Sequence, residues 1–159
     1  MEAPFERRRE GYLLSTDPRR LDVARVHAWL AASYWAAGIP RDVVERSIAG
    51  SLCFGVYEEG GAGTQVAFAR AITDGATYAY LADVVVEESQ RGRGLGVWLM
   101  ECIGAHPDLQ GLRRWSLVTR DAHALYARFG FGGLASPERY MEKVDTEVYL
   151  RPRVRPPAS

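Results

Sequence analysis

The chain has 159 residues, 47% hydrophobic and 25% charged, with 20 basic groups against 20 acidic ones. These are the proportions of one soluble globular domain, large enough to hold a core without disulfides or a structural metal. The formal charge of zero supplies no global field to gather nucleic acid or anionic lipid, and no apolar run approaches the ~20 residues that cross a bilayer.

Nucleic-acid and membrane partners are therefore not expected. The charged opening residues, with no apolar stretch behind them, point to a cytoplasmic protein. Cys53 and Cys102 are the only cysteines. Two are too few for a disulfide framework, and neither has the clustered His or Cys partners of a zinc site, so both read as buried small hydrophobes and no metal is expected.

In chain order, Arg7 to Asp17 carries the apolar stretch Tyr12-Leu13-Leu14 before Thr16-Asp17-Pro18, which predicts an edge strand and a turn. From Asp22, a candidate N-cap, Val23, Val26, His27, Leu30 and Tyr34 recur at three and four spacing, predicting an amphipathic helix over Asp22 to Trp35 that Gly38 and Pro40 stop. A second helix is predicted over Arg41 to Ala49, with Gly50 as its cap. Ser51 to Glu58 and Thr64 to Thr73, joined by a glycine-rich turn, read as a hairpin, and Thr77 to Val86, with three consecutive valines, as the middle strand of the sheet.

Next comes a glycine-rich turn that runs into the helical pattern Val97, Leu99, Met100, Ile103, ended by His106-Pro107. Arg114 to Thr119 reads as a strand, Asp121 to Phe129 as a short helix with Asp121 as N-cap and Gly130 as its stop, and Phe131 to Leu134 and Arg139 to Val144 as one or two last strands. Trp29, Trp98 and Trp115 fall on apolar faces and read as core. The Pro/Arg-rich tail, 151–159, lacks apolar material to order it, so residues 1–150 are expected to form the domain. The order of elements predicts an α/β (α+β) fold, helices packed around one mixed sheet.

The most informative segment is Arg91-Gly92-Arg93-Gly94-Leu95-Gly96. Three glycines at a strand-to-helix junction leave backbone amides unobstructed, and the positive end of the following helix favours an anion such as a phosphate. The same spacing also suits a turn that merely packs a helix close to a strand. No Gly-Lys-Ser/Thr follows, as a Walker loop requires, and the third glycine position of a dinucleotide fingerprint is missing.

This segment resembles the hallmark Arg/Gln-x-x-Gly-x-Gly/Ala of the GNAT superfamily of acyl-CoA-dependent N-acetyltransferases. Leu81 to Val86 upstream is similar to that family's fourth strand, and Leu117 to Phe131 downstream to its fifth strand and following helix. The resemblance implies a central, mostly antiparallel twisted sheet flanked by about four helices, and acetyl-CoA as co-substrate. It implies that Val84, Val85 and Val86 run beside the pantetheine arm and that Arg91, Gly92, Arg93, Gly94, Leu95 and Gly96 hold the pyrophosphate. It also implies that Tyr126 contacts the cofactor and protonates the departing thiolate, although its spacing equally suits a core residue beside Leu125 and Phe129.

Acetyl transfer to an amine needs a neutral nucleophile, a polarised carbonyl and an acid for the leaving group. For the base, Asp83 stands among apolar neighbours where desolvation raises a carboxylate's proton affinity. His123 and His27 are alternatives by chemistry, and a chain of waters would also serve. For the acceptor, Tyr34 and Trp35 beside Gly38 and Pro40 offer a wall for an amine, including cation–π contact, or else the apolar end of a helix; His27 lies on the same element. The expected partner is a small-molecule or peptide amine, and a homodimer is compatible with the sequence. The competing reading is a non-catalytic acyl-CoA-binding regulatory module.

Overall fold

The protein is described by a computed structural model over residues 2–153. Six strands form one mixed sheet in chain order: β1 (Glu6–Arg9), β2 (Tyr12–Ser15), β3 (Leu52–Glu58), β4 (Gln65–Thr73), β5 (Tyr78–Val86) and β6 (Arg114–Ser116). Neighbours from β1 to β5 are antiparallel, and β5 with β6 is parallel. Helices α1 (Val23–Ala31) and α2 (Arg41–Ala49) lie between β2 and β3, α3 (Leu95–Ala105) connects β5 to β6, and α4 (His123–Ala127) follows β6.

Local chemistry explains most boundaries. The β1–β2 turn puts both central residues at positive φ, Glu10 at 48° and Gly11 at 85°, the twist that a two-residue hairpin needs. Asp22 caps α1 by accepting the amide of Arg25 at 3.0 Å. At the β4–β5 turn, Asp74 Oδ1 accepts the amides of Ala76, Thr77 and Tyr78 while Oδ2 accepts the Thr77 hydroxyl; these donors hold its carboxyl well below the usual carboxylate range.

The sheet separates two cores. On one face Ala67, Ala69, Ala71, Ala79 and Leu81 are small enough for α3 to press Leu95, Leu99 and Ile103 against them. On the other, Cys53 and Phe68 meet Val26 and Leu30 of α1 and Val44 of α2. Trp98 is buried in the first core; Trp115 and Trp29 are partly buried against the first and second respectively. The two cysteine thiols are buried and free.

Several expectations are corrected. Tyr12 to Ser15 is the second strand, because the charged run Glu6–Arg9 pairs outside it as the true edge. The first helix ends at Ala31, since Ser33 Oγ bonds the Leu30 carbonyl and takes the Ala36 amide, bending the chain before Tyr34. β5 is next to last in the sheet; β3 and β4 are the middle. Asp121 does not cap α4, whose N-cap is Ala122, with its amide held by Thr119 Oγ1 at 3.0 Å. Phe131 to Leu134 and Arg139 to Val144 form no strand. Arg151 and Arg153 pair with Asp145 and Asp42; the rest of the tail lies outside the described residues.

Candidate active site

β5 and β6 pair only over Tyr78–Tyr80 and Arg114–Ser116. Beyond Tyr80 the two strands part, leaving the β6-side edge of Leu81 to Val86 without a strand partner. A cavity of about 430 Å³ lies by β6 and α4, lined by residues 115–119, His123, Tyr126, Phe131 and Tyr140 among others. An unpaired strand edge presents backbone donors and acceptors to an extended ligand.

At the far end of β5 the chain turns through Arg91 to Gly96. Gly92 and Gly94 sit at φ 80° and 76°, left-handed values that favour glycine. The amides of residues 92–97 have no acceptor among the described residues, and the first bond of α3 runs from the Trp98 amide to the Gly94 carbonyl. A Cβ added at Gly92, Gly94 or Gly96 would meet nothing within 4 Å. The space above these amides is therefore open, which fits a pyrophosphate laid on the main chain.

Arg91 Nε donates to the Val86 carbonyl at 3.3 Å, and Arg93 reaches the Tyr12 hydroxyl at 3.3 Å. Tyr12 in turn donates to Gln90, whose amide donates to Glu58. This chain of bonds anchors the loop to the far strands. Sequence reading missed Tyr12 and Gln90 because their pairing spans 78 positions.

Tyr126 is 8% exposed, packed edge-on against Phe131, and its hydroxyl has no hydrogen-bond partner among the described residues. Burial pushes its phenol above the ordinary value of 10, with Tyr34 and Asp121 adding to the shift. It thus stays a protonated donor facing a cavity. His123, exposed at the start of α4, lines the same cavity.

The other side of the split is organised by Asp83, which has φ 55° in the middle of a strand. It belongs to a bulge: Arg70 pairs with Ala82 and Phe68 with Val85, so Ala69 faces two residues. Simple alternation expects Asp83 opposite Ala82 and Val84. The bulge changes this, because Leu81, Val84 and Val86 pack in the α3 core and Val85 in the α1–α2 core. It brings Asp83 to Arg70, which donates from Nε to Oδ2 at 2.8 Å. Trp35 Nε1 donates to Oδ1 at 3.0 Å. Both oxygens of the carboxylate offered as a base are thus already engaged by donors.

Tyr34 and Trp35 stand in the α1–α2 loop with rings edge-to-face at 5.0 Å. The Tyr34 hydroxyl accepts the Arg120 amide at 3.0 Å, and the Arg120 guanidinium lies 3.9 Å from the Tyr34 ring centre. The loop therefore reaches across to the β6–α4 connection. His27 does not join this wall; its Nε2 lies 2.9 Å from the Ile39 carbonyl and braces the loop from within. The structure thus gathers Val84 to Val86, Arg91 to Gly96, Tyr126, Asp83, Tyr34 and Trp35 around the split. Arg70 and Arg120 are additions. Arg70 could have been found, being the one charged residue of β4, as Asp83 is of β5.

No group of three or more His, Cys, Asp or Glu side chains among the described residues could hold a metal ion, and no described helix is long and apolar enough to cross a membrane. Similarity to known proteins agrees with the architecture. A crystal structure from Xanthomonas campestris pv. campestris, described as a candidate GNAT-family acetyltransferase, is 48% identical, covers 88% of this chain and 97% of its own, and superposes with a TM-score of 0.83. A candidate acetyltransferase of Gibberella zeae is 35% identical over 76% of this chain and 78% of its own. A Clostridium acetobutylicum structure solved with acetyl-CoA shares the fold at 14% identity and TM-score 0.60, over 84% of this chain and 94% of that one. The acetyltransferase (GNAT) domain matches residues 49–132, a span holding the split strands, the glycine loop and Tyr126, and so the chain belongs to the GNAT acetyltransferase family.

Proposed function

We propose that this protein transfers an acetyl group from acetyl-CoA directly to a primary amine. The observation that carries the reading is the split between β5 and β6, with the open amides of residues 92–97 at one end and the buried Tyr126 beside it. In this arrangement the loop amides hold the pyrophosphate, with Arg91 and Arg93 adding charge. The free edge of β5 from Val84 to Val86 pairs with the pantetheine arm as an added strand would, which brings the thioester between Asp83 and Tyr126.

The neutral amine attacks the thioester carbon, and a backbone amide near Val84 polarises the carbonyl oxygen. As the carbon–sulfur bond breaks, Tyr126 gives its proton to the sulfur, so the products are the acetamide and free CoA thiol. The amine's proton leaves to water at the open acceptor mouth, where Tyr34 and Trp35 form the wall, and water returns a proton to the Tyr126 phenolate. Direct transfer is favoured because no cysteine can serve as an acyl carrier: burial pushes the Cys53 thiol up to about 12 and Cys102 to about 11, so neither supplies a thiolate at neutral pH.

The test is calorimetric titration with acetyl-CoA, followed by thiol release against a panel of amines. Micromolar binding, about 8 kcal/mol, with amine-dependent release is the expected result. Binding without release across the panel would favour the regulatory acyl-CoA module, and absence of binding would remove the proposal.

A further inference from the structure

A lone aspartate in an apolar strand next to a layer of alanines poses a packing problem. If β5 simply alternated, Leu81 would place Asp83 on the α3 face, against Ala67, Ala69 and Ala71, where a carboxylate finds no donor. The left-handed turn at Asp83, φ 55°, avoids this by inserting one extra residue. An L-residue with a side chain adopts such a φ only when its surroundings hold it there.

The holding groups are specific. Arg70 Nε binds one carboxylate oxygen at 2.8 Å, Trp35 Nε1 binds the other at 3.0 Å, and the Arg70 NH1 is itself fixed on Ser51 Oγ at 3.0 Å. The Asp83 and Arg70 side chains are 9% and 14% exposed. Trp35 is half-exposed and belongs to the acceptor wall. One carboxylate thus ties together β4, the bulge of β5 and the α1–α2 loop, and through Arg70 it reaches the residue just before β3.

We propose that Arg70 and Trp35 are positioning residues that act through Asp83. They hold the bulge in its left-handed form and so fix the register of Val84 to Val86 along the split. This rests on the acetyl-transfer reading above, and it assigns Asp83 an anchoring part rather than that of the base. Because the extra residue exchanges which backbone groups face β4 and which face the open edge, the bulge decides whether an N–H or a C=O meets the thioester.

The experiment measures kcat, KM for acetyl-CoA, and residue-resolved amide exchange over residues 82–86. The proteins are the wild type, Trp35→Phe, Asp83→Asn and Asp83→Ala. Asparagine tolerates the left-handed region and keeps an acceptor oxygen, whereas alanine keeps neither property. Expected losses in kcat are about threefold to tenfold for Trp35→Phe, under about tenfold for Asp83→Asn and about a hundredfold for Asp83→Ala, with KM for acetyl-CoA moving less than about threefold.

Rescue by asparagine marks the anchor; a base would lose as much with asparagine as with alanine. An inactive Asp83→Asn beside an unaffected Trp35→Phe would therefore overturn the proposal, as would full kcat in all variants. Should Asp83→Ala fail to fold, Trp35→Phe and Asp83→Asn decide alone by the same criteria. If the wild type transfers acetyl to no amine, the acetyl-transfer reading is what fails. The anchor is then judged by amide exchange alone: exchange at residues 84 and 85 about tenfold faster in Trp35→Phe than in wild type supports it, and unchanged exchange overturns it.

Discussion

The Tyr126 hydroxyl is a proton donor with no protein acceptor among the described residues. Its ring is clamped by Phe131, and burial keeps it protonated. Tyr126→Phe keeps the packing and removes one proton. It should lower kcat about a hundredfold while KM for acetyl-CoA stays the same, measured by steady-state thiol release. Because burial raises this phenol above 10, loss of the acid form should draw the alkaline limb of kcat above that value. Wild-type turnover by Tyr126→Phe would reduce the residue to the core role its spacing with Leu125 and Phe129 also allows. At this scale the sequence singled out residue types at fixed offsets, as with the proposed acid Tyr126 and the loop glycines. It marked Arg70 only as a lone charge in an apolar strand, whose meaning depends on a residue thirteen positions away turning to meet it.

Among the elements, the loop from Arg91 to Gly96 and the start of α3 separate structural from functional glycine. Gly96 lies inside α3, has no positive φ, and a Cβ there would meet nothing within 4 Å. Gly96→Ala should therefore raise stability by about 0.5–1 kcal/mol, since glycine is the poorer helix former. The family hallmark admits alanine at this position, so acetyl-CoA affinity should change less than about threefold, whereas Gly94→Ala, at φ 76° in the loop itself, should weaken it about tenfold. A thermal melt and a calorimetric titration on one sample read both effects. Unchanged affinity in Gly94→Ala would mean that the loop only packs α3 against β5. Helix α1 shows how far periodicity alone can be trusted. The apolar spacing continues to Tyr34, but Ser33 turns its hydroxyl back on Leu30 and the chain leaves the helix after Ala31. That early exit is what carries Tyr34 and Trp35 over to Arg120 and Asp83.

For the molecule as a whole, acid sensitivity should come first from His106, 6% exposed between the rings of Phe5 and Phe54. Its Nδ1 accepts the Asp108 amide, which requires an unprotonated nitrogen there. Burial holds the ring below its ordinary value of 6.5, with Asp108 partly opposing. The unfolded chain therefore takes up this proton first as pH falls. The stability contributed is whole above 6.5 and is lost progressively below it, until the folded ring is also protonated. Urea midpoints taken at about pH 7.5 and about pH 5 should fall in the wild type and fall less in His106→Asn, which keeps a capping acceptor without the titration. Equal slopes would assign the acid limb to other groups. By itself the sequence determined the run of elements from β2 to α4 and the glycine loop, because caps, turns and periodicities act within a few residues; the candidate acid came from the family resemblance. Only the tertiary structure decided the place of β5 next to last, the parting of β5 from β6 and the bulge at Asp83, because each depends on strands far apart in sequence competing for the same faces and edges. A carboxylate that could serve as a base or as a pairing group is held by an arginine and a tryptophan that no local pattern brings to it.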